Sequence, residues 1–371
     1  MEKIKVLFDH QTFHNQVFGG ISRYFFELVS RFDNGFDNVQ PRIALAVTAN
    51  SYIKSYKGYN HLFLPKKVFK ILEGLIRTVN KRRSLRMISK GDYDVFHPTY
   101  YDTYFLEALK GRPFVLTIHD MTHEKYPQYF SASDPTRNNK KILAEKAARI
   151  IAISESTKRD IIDMLGVAED KIDVIYHGID RQPPAQGKPD NLPDEYILYV
   201  GERRGYKNFN NTVEAFVEIR KSHPEMHLVL AGRQLSNKET EQFRSLGISR
   251  HVVCYSHIAD SVLRQLYRNA RLFVYPSLYE GFGIPILEAF AQDCPVVLSN
   301  ASCFPEVAGD AGEYFEADSI KSQTKALLKV IENDDLREKM VSRGRKRQAM
   351  FSWQETARRT EETYRKVLSH S

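Results

Sequence analysis

Two glutamates bracket a short turn that contains two glycines: Glu280 and Glu288 flank Gly281-Phe282-Gly283-Ile284. Carboxylates accept hydrogen bonds from hydroxyl groups, and glycine residues let backbone amides approach a phosphate closely. A site for a bare anion would not be flanked by two carboxylates. The pattern therefore indicates a ligand that carries both hydroxyls and phosphate, as a sugar nucleotide does. The alternative is an ordinary turn in which Glu288 only caps a helix.

The segments around this turn have the composition of a strand and a helix. Residues 272–274 form a short apolar run typical of a buried strand, and Pro285 is suited to the first position of a helix. We expect Glu288 in the first turn of that helix. A helix start offers unpaired N–H groups and the positive end of the helix dipole, which suit a phosphate. This context favours a binding site over an ordinary turn.

The segment Glu280-Gly-Phe-Gly-Ile-Pro-Ile-Leu-Glu288 resembles the E-x7-E signature of retaining glycosyltransferases of family 4, which have the GT-B fold. The resemblance covers nearly the whole chain. It implies an α/β protein with two Rossmann-like, doubly wound parallel-sheet domains that face each other across a cleft. We expect an N-terminal acceptor-binding domain, a proline-rich polar linker, a C-terminal nucleotide-sugar-binding domain, and a last helix that crosses back to the first domain. The predicted boundaries are 1–182, 183–194, 195–350 and 351–371.

Composition agrees with a soluble globular protein of two domains. The chain has 371 residues, of which 42% are hydrophobic and 27% charged, and no apolar run reaches the roughly 20 residues of a membrane span. Residues 1–9 lead directly into a strand pattern without secretory-signal design, and the three cysteines have no metal-ligand spacing. We therefore expect a cytoplasmic protein. The net charge of +8 favours an anionic partner, and nucleic acid is the least favoured because no recognition module accompanies the charge.

Two basic residues are expected to bind the diphosphate of the donor. The predicted strand 196–200 is followed by a glycine turn with three cations, Gly201-Glu-Arg-Arg-Gly-Tyr-Lys-Asn208. The resemblance implies that an arginine and a lysine here contact the diphosphate. Lys207, which precedes an asparagine, matches the lysine, and of the two candidates Arg203 and Arg204 we assign Arg203. The alternative is a solvated basic turn.

The resemblance also assigns residues to the sugar and ribose of the donor. The predicted strand 113–118 ends at His119, and open α/β sheets bind ligands beyond the carboxyl ends of their strands. His119 matches the histidine that contacts the donor sugar near the reacting carbon. Glu280 is expected to bind hydroxyls of the transferred sugar, and Glu288 those of the ribose. The predicted catalytic residues are thus His119, Arg203, Lys207 and Glu280.

Backbone groups are expected to supply the remaining donor contacts. Gly19 and Gly20 lie between a strand and a helical pattern, where many family members line the donor cleft with a glycine pair. His257 and Ile258 match the loop that holds the base by its backbone. The predicted donor-binding residues are Gly19, Gly20, Arg203, Lys207, His257, Ile258, Glu280, Gly281, Phe282, Gly283, Ile284 and Glu288.

One turn departs from the family pattern. His177-Gly-Ile-Asp180 resembles the "NG(V/I)D" turn that closes the first domain, but His177 stands where the family usually has asparagine. The contacts of that asparagine therefore do not transfer to this chain.

Residues 65–90 have two interpretations. Apolar residues fall on one face of a helix and basic residues on the other; the first are Val68, Ile71, Leu72, Leu75, Ile76 and Val79, and the second Lys66, Lys70, Arg77 and Lys81. One interpretation is a surface helix that packs its apolar side on the domain. The other is a basic amphipathic helix on an anionic membrane surface, as in family members that reach lipid-linked acceptors.

These observations predict a retaining, metal-independent hexosyltransferase with no cofactor besides its UDP- or GDP-sugar donor, and with mannose or glucose as first candidates. The acceptor would be a lipid-linked or growing surface glycan in lipopolysaccharide or exopolysaccharide assembly, reached from the cytoplasm or as a peripheral protein on the inner membrane face. No Asp-x-Asp pair suits a metal, because Asp92 and Asp94 lie at a strand start. The alternatives are a GT-B nucleotide-sugar epimerase or phosphorylase, and a non-catalytic sugar-nucleotide binder.

Overall fold

The computed structural model describes residues 3–35, 38–56, 60–180, 183–203 and 205–369. The chain divides into two compact units: unit 1 comprises residues 1–178 and 352–371, and unit 2 comprises residues 179–351. The chain therefore leaves unit 1 after Gly178 and returns to it at Ser352.

Unit 1 is built on parallel strands. They are β1 (Ile4–Phe8), β2 (Val39–Ile43), β3 (Val47–Thr48), β4 (Leu62–Phe63), β5 (Val95–His97), β6 (Val115–Ile118), β7 (Arg149–Ala152) and β8 (Ile172–Val174). The strands β2-β1-β5 and β6-β7-β8 form two sheets, and a parallel bridge from Phe96 to Phe114 connects their neighbouring edges. The strand order reverses between β1 and β5, so the loops that follow these two strands diverge there.

The second strand begins earlier than predicted. The apolar run in Arg42-Ile-Ala-Leu-Ala-Val47 predicts a strand at residues 42–47, whereas β2 ends at Ile43 and pairs with β1 from Ile4↔Val39 to Phe8↔Ile43. Pro41 cannot donate to a strand ladder, but β2 is an edge strand, where proline is tolerated. Because of this proline the sequence pattern did not indicate a strand at residues 39–43, and only the pairing with β1 shows it.

Helices follow the strands of unit 1. They are α1 (Gln11–Asn15), α2 (Gly20–Gly35), α3 (Lys66–Ile71), α4 (Glu73–Lys90), α5 (Leu106–Leu109), α6 (Thr122–Lys125), α7 (Thr136–Lys146) and α8 (Glu155–Leu165). The segment Ser154-Glu155-Ser156-Thr157 predicts a capped helix start. This cap is present at α8, because the Ser154 hydroxyl accepts a hydrogen bond from the Thr157 N–H over 3.0 Å.

Unit 2 contains one six-stranded parallel sheet. Its strands are β9 (Tyr196–Val200), β10 (His227–Gly232), β11 (Val252–Ser256), β12 (Leu272–Tyr275), β13 (Val296–Ser299) and β14 (Gly312–Phe315), in the order β11-β10-β9-β12-β13-β14. The strand order reverses between β9 and β12. Most of these strands are continuous apolar runs, as expected when helices cover both faces. The strand β14, Gly-Glu-Tyr-Phe, lacks such a run and was not predicted.

Seven helices are seen in the described part of unit 2. They are α9 (Phe209–Arg220), α10 (Asn237–Ser245), α11 (Asp260–Asn269), α12 (Ile284–Ala291), α13 (Phe304–Ala308), α14 (Ile320–Ile331) and α15 (Asp334–Gln348). The core of this unit combines strand residues such as Leu230 and Val274 with Phe216 of α9 and Leu327 of α14.

The last helix, α16 (Trp353–Ser369), belongs to unit 1. Trp353, Ala357 and Tyr364 lie in the same core cluster as Phe8 of β1. The backbone of Trp353 passes directly against Gly178: a Cβ added to Gly178 would lie 2.0 Å from the Trp353 nitrogen. Only glycine fits at position 178, and the core of unit 1 is completed by the C-terminal residues.

Both units are therefore α/β with parallel sheets, as predicted. None of the helices in the described ranges is long and apolar enough to cross a bilayer.

Trp353→Ala should destabilise unit 1 by about 3–5 kcal/mol, because it leaves a large cavity in the core. Calorimetric unfolding would measure this, with Gln354→Ala, at the exposed neighbouring position, as the matched control. A change equal to that of the control would contradict the assignment of α16 to this core.

Candidate active site

Lys207 and Glu280 form an ion pair at the carboxyl edge of the unit 2 sheet. Lys207 ends a single turn of 3-10 helix after β9, and Glu280 lies in the loop after β12. Lys207 Nζ and Glu280 Oε1 are 2.6 Å apart, and the two side chains are 20% and 14% exposed. β9 and β12 are the neighbours between which the strand order reverses, which is where open α/β sheets bind ligands. The structure thus brings two predicted catalytic residues together.

Neighbouring residues fix the position of Glu280. The buried Ser277 hydroxyl donates to Glu280 Oε1 over 2.7 Å, and the Ser302 hydroxyl donates to the Glu280 carbonyl oxygen. Burial, together with the nearby charge of Glu280, raises the pKa of Tyr275 well above its usual value. Sequence reasoning missed Ser277, although its place three residues before Glu280 was a local signal.

Helix α12 starts four residues beyond Glu280, at Ile284. Its N-cap, Gly283, has a φ of 87°, a conformation that favours glycine. A Cβ on Gly283 would also lie 3.1 Å from the Phe304 ring, so packing disfavours a side chain there as well. Gly281 and Phe282 are buried in the preceding turn. The helix start predicted from Pro285 is therefore present, one residue earlier than expected.

Glu288 lies further along α12 than predicted. The helix begins at Ile284 with Pro285 second, so its first turn contains no acidic residue. The prediction of Glu288 in the first turn was wrong, because Glu288 is the fifth residue of the helix. The Tyr267 hydroxyl donates to Glu288 Oε2 over 3.4 Å, so the carboxylate lies against α11. Its contact with a ribose stays a prediction.

Arg203 has an interior structural role. Its side chain is 0% exposed, its Nε is 2.9 Å from Glu239 Oε1, and its Nη2 donates to the carbonyl oxygens of Arg233 and Gln234. These bonds hold the start of α10 and the turn after β10 to the end of β9. Within this guanidinium, the Nη1 nitrogen is buried and has no hydrogen-bond partner among the described residues. Contact with a diphosphate stays a prediction for Arg203, and Arg204 lies outside the described residues.

No local signal could have revealed the pair of Arg203 with Glu239. The two residues are 36 positions apart. The position of Glu239, three residues after Ser236, indicates only a capping box. It fills that role as well, since Ser236 and Glu239 bond reciprocally at the start of α10.

His257 and Ile258 lie directly beyond the carboxyl end of β11. His257 is exposed and has a φ of 55°, which is uncommon for a residue other than glycine. β11 is the edge strand, separated from β9 by β10. The loop thus lies on the same edge of the sheet as Lys207, and its contact with a base stays a prediction.

In unit 1, Gly19 and Gly20 lie at the start of α2. The Gln16 side chain accepts from the Ser22 N–H over 3.0 Å, so the helix start is capped by a residue from the preceding loop. A Cβ on Gly19 would collide with Gln16, whereas a Cβ on Gly20 would meet nothing within 4 Å. Glycine at position 19 thus lets Gln16 keep its capping position, and the open surface at Gly20 is compatible with the predicted ligand approach.

His119 follows β6 and packs against α2. Its ring meets the rings of Tyr24 and Phe25 edge to face, at centroid distances of 5.1 Å and 5.9 Å. Burial lowers the pKa of His119 to about 4, so the imidazole is neutral at neutral pH. Its Nε2 is buried without a hydrogen-bond partner among the described residues.

The loop that carries His119 rests on a buried ion pair. Lys140 Nζ donates to the Asp120 carbonyl oxygen over 2.9 Å and to Glu124 Oε2 over 2.8 Å. Because the Lys140 side chain is 0% exposed, this pair fixes the loop from inside the unit. Within the described ranges, no group of three or more His, Cys, Asp or Glu residues is arranged to hold a metal ion.

Comparisons with known proteins agree with this geometry. Residues 180–347 match the family "Glycosyl transferases group 1", and residues 18–182 match "Glycosyltransferase Family 4". The chain is 30% identical over 303 residues to O-antigen chain mannosyltransferase B of Escherichia coli, covering 77% of each chain. This protein belongs to glycosyltransferase family 4. Another family relative, the MMP alpha-(1->4)-mannosyltransferase of Mycolicibacterium hassiacum, is 27% identical over 77% of this chain and 74% of its own length.

Solved structures establish the fold of this glycosyltransferase as GT-B. A glycosyltransferase from Rickettsia africae aligns over 100% of both chains with a TM-score of 0.73 at 18% identity. HepE of Anabaena, solved in complex with UDP-glucose, aligns over 97% of this chain and 99% of its own with a TM-score of 0.72 at 18% identity. The predicted fold class and family are thereby confirmed.

The two predicted cations should behave differently on substitution. Arg203→Ala should destabilise unit 2 by about 3–5 kcal/mol, because it leaves Glu239 as a shielded carboxylate that has lost its principal partner. Lys207→Ala should destabilise unit 2 less, because Lys207 is 20% exposed and Glu280 keeps the Ser277 hydroxyl as a donor, and it should slow sugar transfer by about 10²-fold or more. Thermal unfolding and initial rates measure both effects, with Arg244→Ala on the exposed side of α10 as the control. A stable, inactive Arg203→Ala would instead place Arg203 at the diphosphate.

Proposed function

We propose that this glycosyltransferase transfers a hexose from a UDP- or GDP-sugar to an acceptor hydroxyl, with retention of anomeric configuration and without a metal. The contact of Lys207 with Glu280 at the reversal of strand order carries the proposal. In a nucleotide sugar the anomeric carbon is bonded to the diphosphate, so phosphate oxygens and sugar hydroxyls lie close together. The Lys207 ammonium suits the phosphate oxygens, and the Glu280 carboxylate, 2.6 Å away, suits the sugar hydroxyls.

Each residue then has a defined part in the reaction. Lys207 neutralises charge on the departing diphosphate, assisted by the amides at the start of α12. Glu280 accepts hydrogen bonds from the transferred sugar, and Glu288 from the ribose. His119, a neutral imidazole, contacts the transferred hexose.

Retention requires the acceptor to attack the face that the diphosphate leaves. The bond from the anomeric carbon to the phosphate oxygen breaks, and a bond to the acceptor oxygen forms. The acceptor proton passes to the departing phosphate oxygen, so the step needs no separate protein base. A cation held at the diphosphate supports this route, because it stabilises the charge that develops there.

The names of relatives suggest the sugar and the pathway. Among the relatives are O-antigen chain mannosyltransferases of Escherichia coli and Salmonella typhimurium, which favours mannose as the hexose and a lipid-linked or growing surface glycan as the acceptor. The solved complex of HepE with UDP-glucose keeps a glucosyl donor as the second candidate. Such an enzyme would work in the cytoplasm, at the inner face of the plasma membrane.

A thermal-shift screen with UDP, GDP and ADP would identify the base, because a bound nucleotide raises the melting temperature by mass action. Incubation with the matching sugar nucleotides and NMR of the product would then establish transfer and anomeric configuration. An inverted product would reject retention. An epimerised donor or a sugar phosphate would favour the epimerase or phosphorylase, and binding without turnover would favour a non-catalytic binder.

Glu288→Ala should weaken binding of the matching nucleoside diphosphate about 10-fold to 100-fold, because hydrogen bonds from the ribose to a charged acceptor are lost. Isothermal titration calorimetry with the free nucleotide measures this directly. Tyr267→Phe, which removes only the hydroxyl that donates to Glu288, is the control and should change affinity little. Unchanged affinity in Glu288→Ala would remove it from the ribose site.

We also propose that α3 and α4 bind an anionic membrane surface. Seven large apolar residues are exposed on and around these helices: Phe18, Leu62, Val68, Ile71, Leu72, Leu75 and Val79. Ile71 and Leu75 are 81% and 64% exposed. Residues 66–90 include nine lysines and arginines and a single acidic residue, Glu73. Apolar side chains flanked by cations fit a bilayer with anionic headgroups.

The way in which α4 packs explains this exposure. Its buried positions are Ile76, Asn80, Ser84 and Ile88, one turn apart. Asn80 Oδ1 accepts from the Ala46 and Val47 N–H groups, and the Ser84 hydroxyl donates to the Ala44 carbonyl oxygen. The helix is thus attached to the domain through a partly polar stripe. Of the apolar face predicted from the sequence, only Ile76 is buried, which disfavours the interpretation as an ordinary packed surface helix.

The double substitution Ile71→Ser with Leu75→Ser should weaken binding to anionic vesicles about 10-fold to 100-fold, because two apolar side chains no longer enter the bilayer. Its melting temperature should change little, since both positions are exposed. Co-sedimentation with phosphatidylglycerol vesicles at low salt measures binding. Met350→Ser, at an exposed apolar position of unit 2, is the control. Equal binding of both variants would reject this surface.

A further inference from the structure

His177 packs against the same aromatic ring as His119. It follows β8 and is 3% exposed. The two imidazoles are nearly parallel, with centroids 6.0 Å apart and planes 15° apart. Tyr24 of α2 stands perpendicular to both, at 5.1 Å from His119 and 4.9 Å from His177. The two imidazoles therefore share Tyr24 as a packing partner.

The C-terminal helix fixes His177 from behind. The Trp353 ring lies 5.7 Å from the His177 ring at 76°. The next residue, Gly178, touches the Trp353 backbone, and the Thr356 hydroxyl donates to the Tyr176 carbonyl oxygen over 2.8 Å. His177 is thus held on both sides along the chain by α16. We call Tyr24, His119, His177 and Trp353 the aromatic cluster.

A buried chain of hydrogen bonds holds Tyr24 in this cluster. Its hydroxyl is 3.4 Å from Thr117 Oγ1, which in turn bonds to His97 Nε2 over 2.9 Å. His97 Nδ1 bonds to the Tyr364 hydroxyl of α16 over 2.7 Å. Because all four side chains are buried, rotation of Tyr24 would break bonds that water cannot replace. The ring against which both histidines pack is therefore rigid.

Both imidazoles are uncharged at neutral pH. Burial is the main cause that lowers the pKa of His119, to about 4, and that of His177, well below its usual value. In a neutral imidazole one nitrogen donates a hydrogen bond and the other accepts one, so either nitrogen can bond to a hydroxyl. His119 Nε2 is buried without a partner among the described residues, so its direction decides which hydroxyl it can meet.

We propose that His177 is a positioning residue: its ring holds the His119 imidazole in the orientation that directs Nε2 toward a hydroxyl of the transferred hexose. This inference rests on the proposed function for the role of His119. Asparagine, the usual residue in the turn that His177-Gly-Ile-Asp180 resembles, has no ring to pack against Tyr24 and Trp353.

Two variants separate packing by the ring from chemistry at its nitrogens. His177→Phe keeps a flat ring of similar size but has no nitrogen, whereas His177→Ala removes the ring. If His177 acts by packing, His177→Phe retains turnover within about 3-fold, and His177→Ala loses about 10-fold to 100-fold in kcat, as expected when a contacting group is misplaced. Affinity for the free nucleotide stays unchanged in both. Should His177→Ala fail to fold, His177→Gln takes its place.

The direct measurement is the NMR spectrum of the imidazole nitrogens, assigned to His119 by comparison with His119→Ala. Displaced or broadened His119 signals in His177→Ala, with normal signals in His177→Phe, are the expected result. Unchanged His119 signals in His177→Ala would overturn the proposal. Loss of turnover in His177→Phe with normal His119 signals would also overturn it, because the His177 nitrogens would then be required.

A double substitution shows whether the effect passes through His119. If it does, adding His177→Ala to His119→Ala lowers kcat no further, whereas independent effects would multiply and overturn the proposal. Wild-type turnover of His119→Ala would reject the role of His119 in the proposed function, and with it this inference. The NMR signals would still show whether His177 fixes the ring, so the two failures are distinguishable.

Discussion

The reversal of strand order in the unit 2 sheet is the constraint on which the site depends. From β9 the chain continues to β10 on one side, and from β12 to β13 on the other, so the loops after β9 and β12 diverge at one edge. Lys207 and Glu280 come from these loops and lie 2.6 Å apart. Both are largely shielded from water, where opposite charges interact more strongly than in bulk solvent. The fold thus places a cation and a hydroxyl acceptor side by side.

Unit 1 depends on a different constraint, because its core takes side chains from both ends of the chain. Trp353 and Tyr364 of α16 pack with residues of β1 and α2. Tyr364 is also the end of the buried hydrogen-bond chain that reaches Tyr24. The surroundings of His119 are therefore determined by residues more than 230 positions away in the chain. A core shared in this way makes the C-terminal helix part of the functional unit.

Polar packing can decide which face of a helix meets solvent. The apolar periodicity of residues 65–90 suggests that the apolar face is buried, but α4 attaches to the domain through Asn80 and Ser84. Their backbone partners are residues 44 and 46, in the short irregular stretch between β2 and β3, and Val47, the first residue of β3, whose N–H and C=O groups need side-chain partners there. Asn80 and Ser84 face the domain to bond these backbone groups, and Ile71 and Leu75 are left exposed to solvent.

The sequence by itself determined the features that depend on neighbouring residues. Apolar runs predicted the strands β1, β6, β9 and β12, Ser154 predicted the start of α8, and Pro285 predicted the start of α12 to within one residue. Only the tertiary structure decided that Arg203 pairs with Glu239, that β2 begins at Val39, and that His177 lies against Tyr24. These contacts join residues tens to hundreds of positions apart. Periodicity and capping depend on residues a few positions apart, so these patterns cannot predict contacts between residues distant in the chain.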